Sequence, residues 1–133
     1  MNKKIVFSLI GVVIIGLSIF LLRGNNIVPS IKVNDQLISN ESVVVESVTA
    51  VAPSWLVIQT ETNGIQGPVI GYTKIVKGEN KNVSVKIDSS KKTPKLFAMI
   101  HEDNGEKNKL DFPDNDMPLL YNGEMVLQLF SVE

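Results

Sequence analysis

The stretch Asn82-Val83-Ser84-Val85-Lys86-Ile87-Asp88 decides the fold class. Val83, Val85 and Ile87 fall on one side of an extended chain while Ser84 and Lys86 fall on the other. That is the period-two alternation of a half-buried β-strand. Working outward, six further runs rich in β-branched and aromatic residues read as strands: 31–38, 43–51, 55–61, 68–76, 95–102 and 124–132. Asn63-Gly64, Lys77-Gly78-Glu79-Asn80, Asp88-Ser89-Ser90-Lys91-Lys92 and Asn122-Gly123 punctuate them. Asn-Gly tolerates positive φ at both central positions of a tight hairpin. No stretch of ten or more residues after residue 30 carries an apolar stripe at helical spacing, so helix is expected to be scarce. The expectation is an all-β domain, a Greek-key β-sandwich of about seven strands, immunoglobulin-like or cupredoxin-like in order.

Before residue 30 the pattern is different. Residues 5–22, IVFSLIGVVIIGLSIFLL, carry no charge and nothing more polar than Ser8 and Ser18. As a helix rising about 1.5 Å per residue, this run would span about 27 Å, close to the hydrocarbon thickness of a bilayer. It is read as one N-terminal transmembrane helix. Lys3 and Lys4 precede it, and Leu22-Arg23-Gly24-Asn25-Asn26 follows without the small-residue pattern of a signal-peptidase site. A retained signal anchor is therefore favoured over a cleaved signal peptide. The positive-inside rule puts residues 1–4 in the cytoplasm as a short stub, with 23–30 as a linker and 31–133 as an extracytoplasmic domain. The expected location is the cell membrane, crossed once.

Composition narrows the function. The 133 residues include 13 Lys and Arg, 14 Asp and Glu, one His and no Cys. Without cysteine there are no disulfides, zinc ribbons, iron–sulfur clusters or thiol nucleophiles. One histidine cannot build a blue-copper centre. Lys3, Lys4 and Arg23 are the basic residues before residue 24 and no acid accompanies them, which leaves the remainder with 10 basic against 14 acidic residues, a net charge of -4. That balance gives no reason to expect nucleic acid and argues against polybasic docking on anionic lipid.

The densest polar stretch is HEDNGEKNKLDFPDND, residues 101–116. It holds His101, Glu102, Asp103, Asp111, Asp114 and Asp116, all ligand types for hard cations. It is not an EF-hand: counted from Asp103, Gly105 stands third rather than sixth and the twelfth position is Asp114 rather than glutamate. A calcium cage built from Asp103, Asp111 and backbone carbonyls is one reading, and a solvated acidic loop is the plainer one. His101 and Asp103 are two apart and would share a strand face, as in a histidine oriented by a carboxylate. The weak metal candidates are thus His101, Asp103 and Asp111, and the plainer alternative for His101 is a polar strand end bonded into the following loop. No serine elbow, phosphate loop or dinucleotide fingerprint marks a catalytic site, so neither an enzyme nor a cofactor is expected. Trp55, the only tryptophan, is read as a central core anchor rather than an exposed stacking platform. Asn40-Glu41-Ser42 and Asn82-Val83-Ser84 are N-glycosylation sequons.

Four segments taken together, Pro53-Ser54-Trp55-Leu56-Val57-Ile58, Gly67-Pro68-Val69-Ile70-Gly71, Thr93 through Asp103, and Asp111-Phe112-Pro113, resemble an uncharacterised exported domain family. That family occurs in cell-surface and secreted proteins of archaea and bacteria and is named only as a domain of unknown function. The likeness covers about residues 40–132. Ser54 stands where the family usually has glycine, and Asp114 where the third residue of a Phe-Pro-Gly step would be, whereas Asp116 and Pro118 fit the end of that motif. The resemblance implies an extracytoplasmic β-sandwich and no assigned activity. The expected function is a membrane-anchored, non-enzymatic interaction module for a protein or an envelope polymer, with metal binding through residues 101–116 as the alternative.

Overall fold

A computed structural model of the chain describes residues 26–133. The predicted membrane segment 5–22 and the stub before it lie outside the described residues. The described part is all-β, with nine strands: β1 (Ser30–Lys32), β2 (Ser42–Ala50), β3 (Ser54–Thr62), β4 (Ile65–Ile75), β5 (Gly78–Lys86), β6 (Lys95–Glu102), β7 (Leu120–Tyr121), β8 (Glu124–Met125) and β9 (Leu127–Ser131). A single 3₁₀ turn at Ser89–Lys91, capped by the Asp88 side chain, joins β5 to β6. Among the described residues no helix is long and apolar enough to cross a membrane.

Strands β1-β2-β5 form one antiparallel sheet, β4-β3-β6-β9 a second, and β7-β8 a small hairpin. The inward residues of the two larger sheets make one apolar core. Val43, Val45, Val48 and Val85 come from the first sheet, and Leu56, Ile58, Leu96, Ile100 and Phe130 from the second. Val83, Val85 and Ile87 all turn to this core as their alternation predicts. The alternation slips once in each of two paired strands. In β2 the inward positions are 43 and 45, then 48 and 50, and β5 slips opposite Glu46 at Asn82, whose φ is 50°. Because both strands slip together, the pairing register is kept.

The turns follow their chemistry. Asn63-Gly64 and Asn122-Gly123 both have positive φ at the two central residues and close the β3–β4 and β7–β8 hairpins. Asn40-Glu41 makes a third such turn, between Ser39 and Ser42. The segment Gly67–Gly71 has a steric reason for its glycines. Pro68 sits on edge strand β4 where the register with β3 shifts, a place that tolerates the missing N–H. A Cβ on Gly67 would overlap the Thr60 hydroxyl, and one on Gly71 would overlap the Lys86 carbonyl, where β4 meets the end of β5.

Two expected strands and one expected turn come out differently. Of 31–38, only the start pairs as β1; the chain then changes sheets at Gln36. The Gln36 side chain stands in for a strand, donating to the Val44 carbonyl at 2.9 Å and accepting from the Val44 N–H at 2.8 Å. Its backbone meanwhile pairs in parallel with Val132, beyond β9. The run 124–132 is split, because residues 120–125 leave the sheet as the β7–β8 hairpin before β9 begins. Lys77–Asn80, expected as a turn, already contains the start of β5. The Asn80 side chain holds that corner by bonding the backbone of Val76, Gly78 and Val48.

Gly71→Ala is expected to lower stability by about 1–3 kcal/mol, since the added methyl meets backbone rather than a movable side-chain tip. Urea unfolding measures this, and an unchanged midpoint would mean that β4 and β5 can part there at no cost.

Candidate functional site

Central strands β3 and β6 are buried on both faces. Their inner residues belong to the core, but Trp55, Val57 and Gln59 of β3 and Phe97, Met99 and His101 of β6 are also buried, on the outer side of the sheet. This explains why 95–102 reads as a nearly continuous apolar run rather than an alternation. Trp55 is thus buried but is not part of the inter-sheet core. It lies directly across from His101 in the β3–β6 ladder. The Tyr72 ring meets it edge-on at 5.5 Å, and the Lys74 ammonium lies 5.0 Å from its centroid.

His101 is completely buried, and its ring is met edge-on by Phe112, 4.9 Å away. Its Nδ1 is 2.8 Å from the Asp116 carbonyl oxygen. A carbonyl can only accept, so Nδ1 carries the proton and Nε2 is a bare acceptor. That Nε2, Trp55 Nε1 and Gln59 Oε1 have no hydrogen-bond partner within the protein. Burial depresses the His101 pKa below its ordinary value of 6.5, outweighing the hydrogen bond to Asp116 and the charge of its carboxylate. The imidazole is therefore neutral at pH 7.

Asp116 organises the segment above it. Its buried carboxylate accepts from the backbone N–H groups of Asn104 (2.7 Å), Gly105 (2.8 Å) and Asp111 (2.7 Å). Burial pushes the Asp116 pKa up. The hydrogen bonds from Asp111, Asn104 and Gly105 overcome this and leave it below its ordinary value of 3.8. The Asp116 N–H donates back to the Asp111 carbonyl. A Cβ on Gly105 would stand 2.9 Å from the Asp111 Cβ, so this crossing of the chain needs glycine.

The sequence candidates are placed apart from one another. Asp103 pairs with Lys74 at 3.5 Å instead of orienting His101, which is oriented by a backbone carbonyl. Asp111 receives the Asn115 side-chain amide, Glu102 accepts from Asn104, and Asp114 is exposed. Among the described residues no three His, Asp or Glu side chains are grouped so as to hold a metal ion. The sequence reading missed the part played by Asp116, one of several acids in a polar loop. It also missed the Lys74–Asp103 pair, which joins residues far apart along the chain.

Chemically, the arrangement is a clasp. A neutral histidine and an ionised aspartate, both buried, hold residues 103–116 against the end of β6, where Met117 to Leu119 pair with its backbone. The class so defined is an all-β domain whose central strands are covered on both sides, with its one histidine engaged in holding a loop. The chain belongs to the family DUF7282, a domain of unknown function, which matches residues 29–133. No curated protein and no solved structure matches it.

The clasp makes stability depend on pH in one direction. An unfolded chain takes up the His101 proton near pH 6.5 and the folded one only at lower pH, so stability is lost as pH falls below about 6.5. Asp116 adds stability above 3.8 that disappears as pH falls through its lower folded pKa. Urea unfolding at a series of pH values is expected to show a decline starting near pH 6.5, and His101→Phe to remove that first step. A wild-type profile flat down to about pH 5 would contradict it. Asp116→Ala is expected to strip hydrogen-exchange protection from the amides of Asn104, Gly105 and Asp111 while β3 and β6 keep theirs. Equal loss in the strands would mean that the clasp is not local.

Proposed function

We propose that the chain is a membrane-anchored, extracytoplasmic, non-enzymatic module with a Greek-key β-sandwich as its exported part. The observation that carries this reading is the clasp. The single histidine and the buried Asp116 carboxylate, the side chains best suited to catalysis or metal binding, are both engaged in holding the loop to the sheet. The strand order supports the Greek-key reading. β2 and β3 follow one another in the chain but belong to different sheets, as do β5 and β6, while β2 pairs with β5 and β3 with β6.

Anchoring is supported by the spacing of the chain. The family match opens at residue 29 and β1 at Ser30, and only residues 23–29 separate β1 from the uncharged run 5–22. A fold that starts where a short linker ends is what a tethered domain needs. The outer face of the β1-β2-β5 sheet carries Lys32, Glu46, Ser84 and Lys86, with Val44 as an exposed apolar residue among them. It is a polar surface, unlike the covered face of the other sheet, and suits a hydrated protein or polymer partner.

The test is made on the full chain expressed in its host. Expected results are an intact mass that includes residues 1–25, retention in the membrane pellet after alkaline carbonate, and digestion of the domain by protease added from outside. A mature N-terminus near residue 24 or release into the carbonate supernatant overturns the anchored reading.

A further inference from the structure

The pairing registers place the two ends of the domain. Ser30, where the chain enters, pairs with Thr49 near the end of β2. At the same end lie the 51–53 turn, the β4–β5 corner at Val76-Lys77, the end of β6 at Glu102 and the loop that follows it. The β7–β8 hairpin leaves the sheet between Leu119 and Val126. Both of these bond to Ile100, two residues from the end of β6, which puts the hairpin toward the same end. The opposite end carries Asn40-Glu41, Asn63-Gly64 and the Asp88–Lys92 turn.

Exposed apolar side chains gather at the entry end. Val28, Val76, Phe112, Met117, Leu120 and Tyr121 are all exposed there, Val76 at 66% and Leu120 at 61%. The opposite end shows Glu41, Glu61, Asp88, Lys91 and Lys92 instead, with two exposed apolar residues, Leu37 at 69% and Ile65 at 67%, against the six of the entry end. Residues this apolar and this exposed, on several loops at one pole, are what a surface covered by another phase looks like.

We propose that this entry pole rests on the outer surface of the bilayer that residues 5–22 cross, with Val28, Val76, Met117 and Leu120 entering its interfacial layer. This rests on the anchored reading above. The length of chain before the fold selects a lipid surface over other occupants. The seven residues 23–29 reach at most about 25 Å, whereas the nine-residue strand β2 alone is about 30 Å long. So short a tether keeps the entry pole turned to the membrane and prevents the domain from standing on its other end. Apolar side chains held that close gain by leaving water. Charge plays a minor part. Lys77, Lys107 and Lys109 at this pole are interleaved with Glu79, Glu102 and Glu106, so no basic patch forms, and the lysine stems can bring their ammonium groups to lipid phosphates. Docked this way, the module presents its polar sheet sideways and its charged pole outward.

The absence of cysteine makes the test direct. Single-site variants Ile14→Cys, Val76→Cys, Leu120→Cys, Asn63→Cys and Ser90→Cys of the full chain carry a nitroxide label. They are reconstituted in phosphatidylcholine vesicles containing a minority of phosphatidylglycerol. Relaxation by oxygen, which concentrates in lipid, is compared with relaxation by a water-soluble nickel chelate. The proposal expects oxygen to dominate at positions 14, 76 and 120, and the chelate to dominate at 63 and 90. Oxygen dominance at 14 with chelate dominance at 76 and 120 overturns the docking and leaves the anchor standing. Chelate dominance at 14 overturns the anchor, and the docking with it. Protection from both reagents at 76 and 120 overturns the lipid in favour of a second copy of the chain.

Discussion

The rest of the structure depends on the burial of β3 and β6 on both faces. A central strand pair covered on one side by a facing sheet is ordinary; here the other side is covered as well, and that side carries a histidine. Burying an imidazole costs free energy unless it is neutral and bonded. The loop that covers it keeps the ring neutral and bonds it at Nδ1, while Nε2 has no partner within the protein. The Asp116 carbonyl accepts a hydrogen bond from Nδ1–H, and burial keeps the ring uncharged. Covering the histidine then creates a second demand, because the carboxylate of Asp116 is buried along with its backbone. Three backbone N–H groups meet that demand, and in doing so they shape residues 103–116. The loop covers the sheet, and the sheet's polar residue gives the loop its point of attachment.

This division of labour gives the domain unlike surfaces. The β1-β2-β5 sheet keeps a polar outer face, so it alternates and stays open to water. The β4-β3-β6-β9 sheet is covered, so its central strands are apolar on both sides. At the ends, the Asn40-Glu41 and Asn63-Gly64 turns and the Asp88-capped 3₁₀ turn share one pole, while Val28, Val76, Met117 and Leu120 set exposed apolar side chains among the charged residues of the other. With no cysteine in the chain, the two sheets are held by their shared core. They are also held by backbone that passes between them, at Gln36, which binds Val44 with its side chain and Val132 with its backbone, and at Gly71, where β4 and β5 touch.

Much of the fold was legible because the signals are local. Val83, Val85 and Ile87 alternate, and Asn63-Gly64 and Asn122-Gly123 need no distant partner to turn the chain. Where the reading failed, a distant residue had intervened. Residues 31–38 look like one strand, but the second half is drawn to the far sheet by Val132. Residues 124–132 look like one strand, but the β7–β8 hairpin takes their first part. The candidate site fared similarly. The spacing of His101 and Asp103 suggests a shared strand face, yet β6 ends at Glu102 and Lys74, two strands away on β4, captures Asp103. Nothing in the order of the acids sets Asp116 apart from Asp111 or Asp114.

By itself, then, the amino-acid sequence determined the all-β class, the two Asn-Gly turns, the family and the contrast between an uncharged N-terminal run and the domain after it. These rest on periodicity, composition and turn chemistry, which act over a few residues. Only the tertiary structure decided which polar side chains are buried, which acid holds the loop and at which end the exposed apolar residues collect. Those outcomes depend on which strands become neighbours. Burial and pairing are properties of residues brought together from distant parts of the chain, and no local pattern encodes them.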